Sequence, residues 1–208
     1  REPERMEGQR RSNPIRRDNL ARLSSAYWSV VLIGAVFTLA RFSEAFLVLR
    51  ALQNGIPIAL VPLVMVAMGL VYSLTAYPFG KLSDRVSHRK MLALGLAVLV
   101  AADLVIASGR GWATLLVGVT LWGVHMGMTQ GLLAAMVADT APADLRGTAF
   151  GFFNLVSGVA LLAASAIAGL LWDRLGASWT FHAGAGFSLV ALIALVGTWL
   201  RTDGDGIS

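Results

Sequence analysis

The residues most able to do chemistry in this chain are ionisable side chains inside long apolar segments. Arg41 and Glu44 stand three positions apart in one such segment, and His125 lies near the middle of another. Asp103 is the only charged residue between residues 91 and 109. Because an isolated charge in hydrocarbon is costly, such side chains are expected to face a protein interior or a water-filled cavity and to serve substrate or ion handling.

Two roles are open for each of these groups. If the first segment is one helix, Arg41 and Glu44 share a face with Thr38, and they form a structural ion pair or handle substrate or protons. His125, with Thr129 on its face, either titrates in response to a proton gradient or remains neutral and hydrogen-bonds between helices.

Asp103 and Arg50 lie closer to the ends of their segments. An unpaired carboxyl in lipid is pushed towards its neutral form, which suits proton binding at Asp103, whereas its position favours a packing or interfacial role. Arg50 is expected to extend outward to the membrane surface.

Six apolar segments must position these residues. Five of them contain a long charge-free stretch and the sixth is interrupted only by Asp103; each stretch is close to or above the roughly 20 residues that a membrane-spanning helix needs, and the first, 23–40, ends just before Arg41. With 56% hydrophobic residues, 14% charged residues and a mean hydropathy of +0.68, the composition predicts an all-α membrane protein with six transmembrane helices. The predicted helices are 25–50, 56–80, 89–109, 112–138, 144–172 and 178–201.

The 17 Lys and Arg residues predict the orientation of these helices. Most precede residue 23 or lie in 81–90, with Arg146 and Arg201 on the same predicted side. The smaller opposite group is Arg50, Arg110 and Arg174. The positive-inside rule then predicts a multi-pass protein of the plasma (inner) membrane with both termini cytoplasmic. The basic residues that give the net charge of +5 are explained by membrane orientation and by contact with anionic lipid. A nucleic-acid partner is therefore not expected.

The predicted loop between the second and third helices carries an ordered pattern. Its elements are Gly80, Leu82, Asp84, Arg85, Arg89 and Leu92. The loop resembles the cytoplasmic signature loop of the major facilitator superfamily, Gly-x-Leu-Ala-Asp-Arg-x-Gly-Arg-Lys-x-x-Leu. Ser87 replaces a glycine of that pattern, which predicts a strained and less tightly closed turn if positive φ is needed there. A plain basic anchor is the alternative reading of the loop.

A second inner segment supports the resemblance. Asp139, Pro142, Arg146, Gly147 and Gly151 are similar to the acidic, Pro, Arg-Gly and Gly positions between the fourth and fifth helices of each half of these transporters. The whole chain resembles a C-terminal six-helix half, that is, one half of a major-facilitator-type bundle.

The resemblance implies a domain organisation and a function. Residues 1–22 would be a basic cytoplasmic linker, 23–201 the six-helix transmembrane domain, and 202–208 a cytoplasmic tail; the initial Arg instead of Met indicates processing or sequence upstream. The chain would move a small organic solute by alternating access, as in efflux, coupled to a proton gradient. The first and fourth helices would line the cavity, and Asp84, Arg85 and Arg89 would form a gate. Implied partners are membrane lipid and an N-terminal six-helix half or a second subunit.

Other functions have weaker support. The chain has no cysteine, no HExxH or Gly-x-Ser-x-Gly motif and no Walker-type loop, so no cofactor, metal site or catalytic residue is predicted and an enzyme ranks last. The main alternative is a non-transporting six-helix scaffold or sensor that uses its Arg-rich N-terminal arm as an interaction surface.

Overall fold

The chain folds as a bundle of helices joined by short turns. A computed structural model describes the backbone of residues 17–204 and the side chains of residues 19–196, and this part contains helices and no strand. The helices are α1 (Arg17–Ala21), α2 (Ser25–Leu39), α3 (Ala45–Gln53), α4 (Val61–Ser83), α5 (His88–Ser108), α6 (Trp112–Thr140), α7 (Arg146–Leu175) and α8 (Ala177–Gly204). Short 3-10 turns, Ile58–Leu60 and Ala143–Leu145, precede α4 and α7. The all-α prediction is confirmed.

Glycine sets two of the tight turns between long helices. Gly111, between α5 and α6, has φ +90°, and Gly176, between α7 and α8, has φ +91°. A side chain would be strained in this left-handed backbone region, so glycine is the residue that lets these helices reverse direction within a few residues.

Helix α6 lies at the centre of the bundle and packs closely against α4 and α5. At its contact with α4, a Cβ at Gly123 would stand 2.8 Å from the carbonyl oxygen of Met68 and 3.0 Å from the Cβ of Val71. Small residues permit such backbone approach where lipid provides no hydrophobic drive for association. Glycines on α6 therefore bring α4 against the bundle centre.

Four helical segments among the described residues are long and apolar enough to cross a membrane: Ile58–Ser83, His88–Ser108, Ala143–Leu175 and Ala177–Val196. They correspond to four of the six predicted spans. Helix α6 has the length, 29 residues, but it is not among the four. It carries the polar residues His125 and Thr129, which are buried against protein instead of facing lipid.

The first predicted span is not one helix. Helix α2 ends at Leu39 and α3 begins at Ala45, so residues 40–44 form a break, and the prediction of a continuous helix over 25–50 is wrong. The exposed backbone groups find partners on neighbouring helices. Ser188 on α8 donates its hydroxyl to the Ala40 carbonyl (3.2 Å), and the Ser43 N–H donates to the Ser165 hydroxyl on α7 (3.1 Å). Such replacement bonds allow a helix to be interrupted inside a membrane.

The ends of the chain are only partly described. Of the predicted linker 1–22, residues 1–16 lie outside the described part, whereas residues 17–21 form α1. At the other end, α8 continues to Gly204, beyond the predicted end at residue 201, and residues 205–208 of the predicted tail lie outside the description.

Candidate functional site

His125 occupies the buried centre of the bundle, on α6. Its side chain has no solvent exposure, and its Nδ1 lies 2.8 Å from the carbonyl oxygen of Gly95 on α5. Because a carbonyl only accepts, Nδ1 carries the hydrogen and donates it. Nε2 is buried without a hydrogen-bond partner among the described residues. Phe37 stacks on the imidazole, with ring centroids 5.4 Å apart and planes inclined by 10°.

Thr129 supports this arrangement from the next turn of α6. Its hydroxyl donates to the carbonyl oxygen of His125 at 2.8 Å, and its methyl group packs where a side chain at Gly95 would have to stand. Thr129 is 1% exposed. With its hydroxyl proton engaged in its own helix, Thr129 positions His125 instead of presenting a free donor to a cavity.

Arg41 and Glu44 lie in the break between α2 and α3, so the prediction that they share a helical face with Thr38 is wrong. Both are half-buried, and their opposite charges interact electrostatically. No ion pair joins Arg41 to Glu44; the ion pair seen at 2.7 Å joins Arg22 to Asp144. The Arg41 charge also acts on the His125 ring. The break thus places two ionisable side chains inside the first span, and the charge of Arg41 reaches the His125 ring.

Asp103 is buried in the α5–α8 contact. It has no solvent exposure, and neither carboxyl oxygen has a hydrogen-bond partner among the described residues. A Cβ at Gly184 on α8 would stand 2.7 Å from Oδ2, so only glycine leaves room for the carboxyl group. This enclosure by protein agrees with the packing side of the packing or interfacial role considered for Asp103, and proton binding there stays a prediction.

Arg50 does not extend outward as expected. Its guanidinium Nη2 donates to the carbonyl oxygens of Ile106 (3.1 Å), Ala107 (3.5 Å) and Gly109 (3.2 Å) at the carboxyl end of α5. A cation at this end of a helix satisfies free carbonyls and complements the helix dipole. Arg50 therefore links α3 to α5. Sequence spacing alone does not predict this contact.

The predicted gate loop lies between α4 and α5. Gly80 and Lys81 are in the last turns of α4, and Asp84 and Arg85 follow its end with exposed side chains. Arg89 is exposed in the first turn of α5. In this structure a side chain at Gly80 would meet no atom within 4 Å, so no close helix approach is made there.

Ser87, which replaces a glycine of the family pattern, is not strained. It precedes α5 with φ −56° and ψ 139°, a backbone conformation open to any residue. The expectation of a strained turn is wrong, because the turn does not use positive φ at this position.

The second predicted inner motif joins α6 to α7. Asp139 is exposed in the last turn of α6, Pro142 precedes the 3-10 turn, and Arg146 and Gly147 begin α7 with exposed surfaces. The motif positions are thus adjacent in the connection between α6 and α7. Asp144, inside the same connection, accepts a hydrogen bond from Arg22.

An apolar cavity of about 300 Å³ opens beside the break. It lies between α2, α7 and α8, and its wall includes Ala40, Phe42, Ala164, Thr180 and Gly184. It offers volume and apolar contact next to the charged break, the combination that amphipathic ligands require.

The helical bundle contains a first span that is interrupted and carries charged residues. This arrangement is typical of membrane proteins that form polar sites at breaks in their helices. The chain belongs to the major facilitator superfamily, whose family model matches residues 26–206. The predicted resemblance is thereby confirmed, and with it an integral membrane location.

Individual relatives agree. The chain is 32% identical over 176 residues to an uncharacterised MFS-type transporter of Methanocaldococcus jannaschii, covering 80% of this chain and 43% of the relative. It is 27% identical over 171 residues to the inner membrane transport protein YajR of Escherichia coli, covering 79% of this chain and 36% of that protein. It is 28% identical over 124 residues to an uncharacterised MFS-type transporter of Mycobacterium tuberculosis, covering 60% and 21%. The chain thus spans less than half the length of these relatives.

Proposed function

We propose that this chain is the C-terminal six-helix half of a secondary active transporter that moves a small organic solute by alternating access, coupled to a proton gradient. Family membership supports transport, and the coverage of 43% of a transporter relative supports a half-size unit that works with an N-terminal half or a second subunit. The proposed location is the plasma (inner) membrane, with both termini cytoplasmic, as the distribution of basic residues favours.

The observation that carries this proposal is the break at residues 40–44. Transporters build midplane sites from discontinuous helices, because unwound backbone and nearby ionisable groups can reach a solute there. Here the break lies about halfway between the start of α2 and the end of α3, and it contains Arg41 and Glu44, of which Arg41 acts electrostatically on His125. Since Arg41 and Glu44 make no ion pair, both are left to bind a solute or to exchange a partner during transport.

The proposed cargo is an organic solute with an apolar part, and the proposed direction is efflux. The apolar cavity of about 300 Å³ next to the break accommodates a small ring system, and Glu44 or Arg41 supplies a charge for its polar end. Membrane lipid borders the same surface, so an amphipathic solute can approach from the bilayer.

The exposed inner loops supply the proposed gate. Asp84, Arg85 and Arg89 are at the surface between α4 and α5, and exposed charges form and break ion pairs with little free-energy cost. In this proposal they engage the partner half when the inner side closes. Asp139, Arg146 and Gly147, at the other inner connection, provide the second contact. Residues 1–22 act as the linker, 23–201 as the transmembrane domain and 202–208 as a tail.

Transport can be tested with defined dyes. The protein is reconstituted in liposomes, a pH gradient is imposed, and movement of ethidium, a cationic probe, and fluorescein, an anionic probe, is followed by fluorescence. We expect movement of one dye that stops when an ionophore collapses the gradient. Asp84→Asn should slow this flux while the protein remains in the membrane. Asp173→Asn is the matched control, because it also removes the charge of an exposed carboxyl but lies in the last turn of α7, outside the gate loop.

The scaffold alternative gives a different result. If no dye moves under any gradient, and deletion of residues 1–20 removes a bound partner protein, the transporter proposal fails and the scaffold function is favoured. If Asp84→Asn leaves the flux of a transported dye unchanged, transport stands and the gate assignment fails.

A further inference from the structure

Three buried polar side chains on α5 and α6 hold atoms without hydrogen-bond partners among the described residues. They are both carboxyl oxygens of Asp103, Nε1 of Trp122 and Nε2 of His125, and each of the three side chains is fully buried. Buried polar atoms in native proteins are almost always paired with protein or water, so such a group of unpaired atoms calls for an explanation. The transport site at the break does not by itself use Asp103 or Trp122.

The packing register of α5 and α6 places the three residues in order. Gly95 on α5 lies against His125 and Thr129 on α6, whereas Gly118 on α6 lies against Ala102 and Ile106 on α5. The two helices are therefore antiparallel, and Trp122 falls between the level of His125 and the level of Asp103. Gly95 and Asp103 are about 12 Å apart along the axis of α5, at 1.5 Å per residue.

Two aromatic rings from the interrupted first span cover this row. Phe37, near the end of α2, stacks on the His125 ring. Phe42, in the break, packs edge-to-face on Trp122 with ring centroids 5.5 Å apart. A Cβ at Gly184 would lie 2.6 Å from a Phe42 ring carbon and 2.7 Å from the Asp103 carboxyl, so Phe42 also borders Asp103. The break is thus flanked by the two rings that enclose the unpaired atoms.

We propose that Asp103, Trp122 and His125 form an internal water and proton path, and that displacement of Phe42 with the break opens it. This inference rests on the proposed proton coupling and assigns it to residues. A proton from bulk water binds an Asp103 carboxyl oxygen and passes through bound water to Nε2 of His125, which keeps its Nδ1 hydrogen and becomes a cationic imidazolium. The proton then leaves Nε2 for water at the displaced break, and His125 returns to its neutral form. Trp122 donates its N–H to a water and transfers no proton, because indole nitrogen has no free lone pair. A water in such a row makes about three hydrogen bonds, which these atoms can supply.

Other charged groups around the row limit where the proton can go. Arg41 and Glu44 lie in the break, where the Arg41 charge acts on His125, and Arg50 caps the end of α5 at the Ile106 carbonyl, three residues after Asp103. On α8, the histidine in the first turns is His182, which is exposed and bonded to Ser178. Asp103 itself has no ion-pair partner among the described residues, so its proton can leave only through water or towards His125.

Proton passage can be measured without any solute. The protein is reconstituted in liposomes that contain a pH-sensitive dye, the outside is acidified, and the rate of internal acidification is recorded. We expect Phe42→Ala to raise this rate above that of the wild type, and the double variant Phe42→Ala/Asp103→Asn to lose the increase. Phe46→Ala, which removes a neighbouring ring that packs on Phe42 and Trp172, should leave the rate at the wild-type value.

The outcomes separate the path from the transporter. The path is overturned if a folded Phe42→Ala protein shows no faster acidification, or if the increase persists in the double variant. If dye transport is normal in the same preparation, the proposed function still stands. If Phe42→Ala does not fold, Phe42→Leu replaces it. Infrared spectroscopy gives a second readout: the wild type should show a protonated-carboxyl band that shifts in D₂O and is lost in Asp103→Asn. A spectrum without such an exchangeable band also overturns the path.

Discussion

The Arg22 guanidinium donates to the Asp144 carboxylate at 2.7 Å, and this ion pair joins the connection between α1 and α2 to the 3-10 turn before α7. Two further contacts run alongside it. The Ser24 hydroxyl donates to the Thr140 carbonyl at 3.3 Å, and the buried Tyr27 hydroxyl donates to the Ala149 carbonyl at 2.9 Å. The start of the first span is therefore held to the α6–α7 connection, and the part proposed to move is the break and not this end.

The ion pair itself should contribute little stability. Both side chains are 58% exposed, and exposed pairs contribute about 0 to 1 kcal/mol because water and salt screen them. We expect a double-mutant cycle with Arg22→Ala and Asp144→Ala, measured by unfolding in detergent, to give a coupling below about 1 kcal/mol that falls further at high salt. Asp139→Ala should show no coupling to Arg22→Ala. A salt-independent coupling of several kcal/mol would contradict the exposed geometry.

Two glycines on α6 should respond oppositely to alanine. Gly123 lies against the α4 backbone and Val71, so Gly123→Ala forces the helices apart and should lower the free energy of unfolding by about 1 to 3 kcal/mol. A Cβ at Gly131 would meet no atom within 4 Å, so Gly131→Ala should raise helix stability by up to about 1 kcal/mol. Unfolding in detergent measures both. Equal effects at the two positions would refute the close α4–α6 approach.

Arg50 should matter more to stability than an arginine at a comparable helix end. Arg50→Ala leaves the carbonyls of Ile106, Ala107 and Gly109 without this donor, and loss of hydrogen bonds to a charged group should cost about 2 kcal/mol. Arg174→Ala, at an exposed residue in the last turn of α7, is the control and should change stability by less than about 0.5 kcal/mol. Similar losses of unfolding free energy for both variants would show that the hydrogen bonds from Arg50 to the end of α5 add no specific stability.

The absence of cysteine makes accessibility at the break directly measurable. Glu44 is half-buried in the break and Leu47 is fully buried in α3, so a charged, water-soluble thiol reagent should label Glu44→Cys and leave Leu47→Cys unlabelled. Wild-type protein, with no cysteine, gives the background. If Leu47→Cys reacts as fast as Glu44→Cys in folded protein, or if neither reacts, the break does not face a water-filled cavity.

The amino-acid sequence by itself determined the class of structure. Long charge-free stretches predicted helices at every place where a long helix is found, because a chain in lipid must satisfy its backbone hydrogen bonds internally. The pattern from Gly80 to Leu92 identified the family, since such motifs depend only on local residue order.

Tertiary structure alone decided the details of the candidate site. The break at residues 40–44 depends on hydroxyl groups of Ser165 and Ser188, more than a hundred residues away in the sequence. No local sequence pattern therefore predicts it. The hydrogen-bonded form of His125 depends on the Gly95 carbonyl, and the burial of Asp103 depends on the missing side chain at Gly184. Helix formation is local, whereas the partners of buried polar groups are set by which helices pack together.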